Sequence, residues 1–307
     1  MPTTKTDSIQ RTIHIDATPE TVFPFLTDPS RLTQWMGRSA TLDPRPGGIM
    51  RVDYDGFDVA RGEFLEVVPN SRIVFTWGWE SLADVTRPGE SKVTVTLVPE
   101  GGGTLVTLLH EGISGMEATG FDEGWAMFLG RLSTAATGGQ PEPMAPEMTP
   151  GRELAARLNT VLCEARAVVE HIPAEKWTAN TSENRAANAL ASHVADHIGV
   201  LAIAEGILSG ERSPFADVTA AQLDAGNADR DRAQASVSRD EVLMALMSNG
   251  PKAVEAIKAM SDSDLAASAP MAFAGGQPVP VRAIIEGPLI GDIASHVANL
   301  RTLASRA

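Results

Sequence analysis

The chain has 307 residues, more than one hydrophobic core usually organises, so two domains of ordinary size are expected. Twelve of its fifteen Trp, Tyr and Phe residues precede position 136, among β-branched runs and Gly turns, whereas the later half is Ala/Leu-rich with only Trp177, Phe215 and Phe273. The formal charge of −14 divides evenly, −7 over residues 1–135 and −7 over the rest, and no basic patch argues for nucleic acid as a partner.

The N-terminal segment MPTTKTDSIQ is polar and lacks the apolar core of a secretory signal. No apolar run reads as long enough to span a bilayer, so a cytoplasmic location without a membrane partner is expected. The single cysteine, Cys163, excludes an intrachain disulfide, fits a reducing compartment, and beside Leu162 reads as a buried structural thiol.

Residues Ile9 to Asp16 alternate, with Ile13 and Ile15 on one face, as in a half-buried strand. Thr18-Pro19-Glu20 then opens a helix with Val22, Phe23 and Leu26 as its buried stripe. Pro24 makes this helix short or bent, and a second short helix runs from Pro29 to Trp35. From Thr41 onward, turn signals at Pro46-Gly47-Gly48, Asp55-Gly56, Pro69-Asn70 and Gly101-Gly102-Gly103 separate five or six antiparallel strands. The clearest hairpin pairs Lys92–Val98 with Thr104–His110. Phe121 to Ala135 closes the half as a helix, with Trp125, Phe128, Leu129 and Leu132 on one face.

This order resembles the SRPBCC or START-like superfamily, in its branch related to the activator of the heat-shock-protein-ninety ATPase. The resemblance covers residues 8–135. It rests on Ile13-His14-Ile15-Asp16-Ala17-Thr18-Pro19-Glu20, Leu26-Thr27-Asp28-Pro29, Trp35-Met36-Gly37, Pro46-Gly47-Gly48, Gly62-Glu63-Phe64-Leu65-Glu66, Arg72-Ile73-Val74-Phe75-Thr76-Trp77 and Gly124-Trp125. It implies a helix-grip fold, a curved antiparallel sheet around a long C-terminal helix, with a cavity for an apolar or aromatic small molecule. Trp35, Phe64, Phe75, Trp77, Trp79, Trp125 and Phe128 are candidate lining residues, and packing of the core is the competing role for each. Arg51, Tyr54, Arg61, Glu66 and His110, on predicted strands, are polar candidates for the cavity; alternation does not fix which of them point inward, and outer-face salt bridges are the favoured reading. No nucleophile, base and orienter stand in a recognisable pattern, so binding without chemistry is the default for this half.

Residues 136–151, with Pro141, Pro143, Pro146 and Pro150 in a Gly/Ala-rich run, read as an interdomain linker. Beyond it, over 152–307, four apolar-periodic segments predict an all-α four-helix bundle and an α+β chain overall: Arg152–His171, Ser182–Leu208, Ser238–Met260 and Val281–Leu303. Ser238 to Glu241 is a capping-box sequence, and residues 213–236 read as a loop with short helical pieces.

His193 and His197 lie four apart on the second helix, and Asp292 and His296 four apart on the last. On neighbouring helices, His193, Asp292 and His296 can converge as three ligands with an open position, a set suited to zinc, nickel, manganese or ferrous iron. Surface or satisfied core histidines are the competing reading. Leu190 to His197, Ile290-Gly291-Asp292 to His296, and Asp224-Ala225-Gly226-Asn227 resemble the DinB-like bundle family and its mycothiol-dependent isomerase relatives. That resemblance implies a divalent metal, zinc or nickel foremost, held by a histidine of the second helix and a His-x-x-x-His pair of the fourth. His193 matches the first, His296 the last, and Asp292 replaces the middle histidine; His197 is an alternative or additional ligand.

Three functions are expected on these grounds. The first is binding of an apolar or aromatic small molecule, in detoxification, resistance or secondary metabolism, with the bundle as a metal-bearing partner domain. The second is a metal-dependent transferase or isomerase using a low-molecular-weight thiol, and the last is co-chaperone action on the heat-shock ATPase. Whether the chain is an enzyme stays open at this level, as does its assembly, for which a homodimer is the candidate.

Overall fold

The computed structural model describes residues 7–82, 86–113, 115–144, 147–210 and 216–305. The chain divides into two compact units, Met1–Glu147 and Met148–Ala307.

The first unit opens with β1 (Asp7–Ile15) and three single-turn helices, α1 (Pro19–Val22), α2 (Pro24–Thr27) and α3 (Pro29–Leu32). A proline stands at the start of each, where its missing N–H costs nothing, so the segment is broken into separate turns. Asp28 caps α3 by accepting from the Ser30 and Arg31 amides. The strands β2 (Ser39–Leu42), β3 (Ile49–Asp53), β4 (Val59–Val68), β5 (Arg72–Trp77), β6 (Ser91–Glu100) and β7 (Gly103–Ile113) come next, then α4 (Gly115–Ala136).

The seven strands form one antiparallel sheet in the order β1-β7-β6-β5-β4-β3-β2. Between β6 and β7, Glu100 pairs with Gly103 across Gly101 and Gly102, both at positive φ, as a two-residue hairpin turn demands. A bulge between Phe64 and Glu66 shifts the β4–β5 register and leaves Leu65 exposed. Gly37 has φ +77°, and a Cβ there would lie 2.5 Å from Val52 Cγ1, so the Trp35-Met36-Gly37 step fits only without a side chain. The core joins the inner sheet face, including Phe64, Phe75, Val93, Val95 and Leu108, to Trp125, Leu129 and Leu132 of α4.

The second unit begins earlier than its proline-rich approach suggests. Pro150 and Gly151, assigned to the linker from sequence, are the first residues of α5 (Pro150–His171), and Thr149 caps it by accepting from the Arg152 amide. Met144, also assigned there, packs on the first core, and Glu142 accepts through its carbonyl from Arg131. Pro146 and Phe215 lie outside the described residues, as does residue 213 at the head of the expected loop.

The predicted Ser182–Leu208 helix starts at α6 (Ala187–Asp196) and passes through a 3₁₀ turn (His197–Val200) into α7 (Leu201–Ser209). The tighter 3₁₀ turn interrupts the α-helical period, and Leu208, the last residue of the predicted apolar-periodic segment, is exposed. By length and composition Ala187–Ser209 is apolar enough to cross a membrane, contrary to the sequence reading; its alanines raise hydropathy without bulk, and 56% of the apolar window is buried. Cys163 is half-buried, not buried.

Much of the expected loop is a helix, α8 (Ala220–Ala233), with a capping box between Thr219 and Gln222. None of its residues is buried, so it carries no apolar stripe to announce it. Then come α9 (Arg239–Lys258), with the expected Ser238–Glu241 capping box, and α10 (Asp262–Ala266). The unit is not purely helical: β8 (Ser268–Pro270) and β9 (Pro278–Pro280) form a small antiparallel ribbon, turned at Gly275 and Gly276 with positive φ.

The last segment is also composite. α11 (Val281–Ile284) leads into a π-helical turn (Ile285–Gly291) and then α12 (Asp292–Ser305). Pro288 has no N–H for the helical ladder, and the Asp292 amide bonds the Gly287 carbonyl five residues back. α5 packs against α9 and α12, and α6 against α8, α9 and α12. The contact of α6 with α12 is what brings the histidines together.

Candidate functional sites in the two units

Within the first unit, all seven aromatic candidates belong to the core, Trp79 and Phe128 at its half-buried margin. Trp35, Phe64, Phe75 and Trp125 line a cavity of about 20 Å³ with Leu26, Met36, Leu108 and Leu129, whereas Trp77, Trp79 and Phe128 pack beside it. That space holds about one water and is far below the several hundred Å³ of a usual ligand pocket. Trp35 is fixed at both ends: its indole donates to the Phe25 carbonyl at 2.8 Å, and its own carbonyl accepts from Arg131 Nε at 2.8 Å.

Three of the five polar candidates lie outside, as expected. Arg51 and Arg61 share Glu80, at 3.0 and 3.6 Å, and Glu66 meets Arg72 at 3.1 Å. Tyr54 and His110 are instead buried: alternation on β7 turns His110 inward, and Tyr54, one residue past β3, continues the buried series of Met50 and Val52. His110, fully buried, accepts from the Trp125 indole at Nδ1 (3.0 Å), so its hydrogen lies on Nε2 and is donated to Ser91 Oγ at 2.8 Å. Ser91 passes its own hydrogen to the Trp77 carbonyl at 3.0 Å. Burial lowers the His110 pKa to about 4, keeping the imidazole neutral. Tyr54 Oη and Trp77 Nε1 are buried without a partner, and burial pushes the Tyr54 phenol well above its ordinary range.

In the second unit, His193, His197 and His296 form a cluster. Ring centroids are 4.6 Å apart for His193 and His197, 5.1 Å for His193 and His296, and 6.0 Å for His197 and His296. His193 is 3% exposed, and its Nδ1 and the Nε2 of His197 are buried without a hydrogen-bond partner. Asp292 stands at the rim, its side chain 57% exposed and Oδ2 3.5 Å from His197 Nε2, too long for a well-formed hydrogen bond. The structure thus groups His197 with the other two rings and leaves Asp292 beside them.

Burial and nearby charge favour the neutral form of His193 and His197. The His193 pKa falls to about 3, first through burial and then through the charge of Arg185, with lesser repulsion from Arg230 and from either neighbouring histidine when it is protonated. Burial also lowers His197, against the opposing pull of Asp292. Among the described residues, no three His, Cys, Asp or Glu side chains already stand in coordinating geometry. Facing neutral imidazoles with two orphaned nitrogens nonetheless fit the chemistry of a divalent cation, which needs deprotonated nitrogen donors.

Sequence reasoning missed the partners of this cluster. Glu183 Oε1 accepts from His296 Nδ1 at 2.9 Å and from Asn299 Nδ2 at 2.5 Å. Arg185 pairs through two nitrogens with Asp231 of α8. These pairs span 113 to 116 residues for Glu183 and 46 for Arg185, beyond any local pattern.

Residues 16–137 match the family described as Activator of Hsp90 ATPase homolog 1-like protein. An AHSA1-like protein of Rhizobium etli is 41% identical over 45% of this chain and 87% of its own length, with a TM-score of 0.39. Through its first unit, the chain belongs to the AHSA1-like family. A protein in the dynemicin biosynthetic locus is 27% identical over 46% of this chain, with a TM-score of 0.41; the chain spans about half that protein's length, 51%. CalU16 from Micromonospora echinospora is 28% identical over 45% of this chain and 81% of its own, with a TM-score of 0.36. No curated protein matches. The matched residues all fall in the first unit and span β2 to β7 and α4.

Proposed function

We propose that this is a two-part small-molecule-handling protein. Its AHSA1-like unit receives an apolar or aromatic ligand between the sheet and α4, and its second unit, a DinB-like four-helix bundle, holds a divalent metal, zinc or nickel. The ligands are His193 and His296, with His197 or Asp292 as the third. The observation that carries the reading is the cluster of three imidazoles with His193 Nδ1 and His197 Nε2 buried and unpartnered. An uncompensated buried polar atom costs about 1–3 kcal/mol, a penalty that coordination removes. When bound, the metal supplies the means to lower the pKa of a thiol or water in its open position, which is how a thiol transferase or isomerase would arise on this frame.

Elemental analysis of untagged protein purified without chelator tests the metal. Near-stoichiometric zinc or nickel, lost in both His193→Ala and His296→Ala, supports the site; protein that stays metal-free after reconstitution with several divalent ions sinks it. The ligand reading is tested on the full chain by quenching of tryptophan fluorescence, since four of the five tryptophans lie in the first unit. Because the cavity is only about 20 Å³, binding must displace packed side chains and so perturb those indoles. A flat titration across a chemically broad panel would count decisively against it.

A further inference from the structure

Glu183 precedes α6 in a tight loop that several hydrogen bonds define. The Thr181 amide and hydroxyl both donate to the Arg185 carbonyl, at 2.8 and 3.0 Å, and the Asn184 amide donates to the Thr181 carbonyl at 3.1 Å. Asn184 has φ +60°, a left-handed conformation that asparagine tolerates better than most residues. Arg185 anchors the loop to α8 through its two-point ion pair with Asp231, and its Nη1 lies 4.0 Å from Glu183 Oε2. The carboxylate is therefore held from its own loop before it meets any histidine.

On the other side stands α12, where Asn299 comes three positions after His296 and shares its face. Asn299 Nδ2 donates to Glu183 Oε1, and the Ser182 hydroxyl donates to Asn299 Oδ1, which fixes the orientation of the amide. An ionised carboxylate only accepts hydrogen bonds, so its 2.9 Å contact with His296 Nδ1 places the imidazole hydrogen on that nitrogen. In the neutral ring the lone pair is then on Nε2.

We infer that Glu183 is a positioning residue: it holds His296 as the Nδ1–H tautomer and so makes Nε2 the atom that His296 offers to the cluster. Carboxylate-to-histidine pairs behind a metal ligand act in this way, and their loss typically weakens metal binding about 10–100-fold. The consequence for metal affinity rests on the metal reading above; the tautomer does not.

Long-range proton–nitrogen correlation spectra of the metal-free full chain read the tautomer directly, with His296 assigned by comparison with His296→Asn. Wild type should show Nδ1–H at His296. Glu183→Gln keeps an acceptor oxygen and should keep that tautomer, whereas Glu183→Ala should release it to a mixture dominated by Nε2–H. Cobalt(II) titration followed by its visible absorption should then show affinity lowered about 10–100-fold in Glu183→Ala and much less in Glu183→Gln. An Nε2–H tautomer in wild type overturns the inference, as does equal cobalt affinity in wild type and Glu183→Ala. If cobalt fails to bind at all while the tautomer tracks Glu183, the positioning role stands and the metal reading falls. Circular dichroism of each variant separates these outcomes from loss of fold, and Glu183→Gln, isosteric with the native residue, keeps the test meaningful should Glu183→Ala be unstable.

Discussion

Both units bury histidine, and they treat it in opposite ways. His110 sits between Trp125 and Ser91 with each ring nitrogen bonded, a closed polar thread through an aromatic core. His193 is nearly as deep, yet its Nδ1 has no partner, and the Nε2 of His197 beside it has none either. Burial depresses both pKa values, to about 4 and about 3, so a perturbed pKa does not distinguish the two sites. What separates them is satisfaction: a histidine whose nitrogens are both used is finished structure, and one left open within a cluster is available for chemistry.

The sharpest way to break that contrast is to remove the histidines for which a metal is proposed. His193→Ala or His296→Ala should take bound metal from near one equivalent to near zero, by elemental analysis, while circular dichroism stays native. His110→Leu should instead leave metal content unchanged and lower stability by about 1–3 kcal/mol, because the buried Trp125 indole loses its acceptor; urea unfolding of the first unit's transition measures it. The same histidine sets a pH dependence. Its folded pKa lies below the unfolded value of 6.5, so the unfolded chain binds the extra proton between pH 6.5 and about 4. Its contribution is full above pH 6.5 and is lost as pH falls through that window, at up to about 1.4 kcal/mol per pH unit. Urea unfolding of wild type between pH 7 and 4.5 should show that slope, and His110→Leu should be flatter by the same amount. The smallest effect belongs to Tyr54→Phe. Removing a buried hydroxyl that has no partner should leave stability unchanged or raise it by up to about 1 kcal/mol, and a loss beyond that would mean the hydroxyl is bonded after all.

The first unit was readable because its signals are local. Thr18-Pro19, the Gly101-Gly102 turn and the Trp125, Leu129, Leu132 stripe each dictate their own element, and the AHSA1-like order arises from their sequence. Facing was harder: the outer pairs of Arg51, Arg61 and Glu66 were expected, but His110 on β7 and Tyr54, one residue past β3, turned inward, and a one-residue difference in register reverses a strand's faces. In the second unit the buried stripes of α5, α9 and α12 were visible in their periodicity. The polar α8, the short ribbon and the π turn carry no such period and were not visible. The i, i+4 spacings placed His193, His197 and His296, yet nothing local could show that Asp292 faces solvent or that Glu183 closes on His296 from over a hundred residues away.

The π turn at Ile285–Gly291 bears on how this chain is to be lined up with others. A turn of that kind absorbs one extra residue locally, so the helix on either side keeps its facing as though the residue were absent. A related chain one residue shorter here would run as plain α-helix and still present its counterpart of His296 on the same face. Matched without a gap, the two histidines would fall one column apart and look unrelated. The counting frame of α12 thus begins at Asp292, and any motif that crosses Pro288 has to be compared in space before it is compared in sequence.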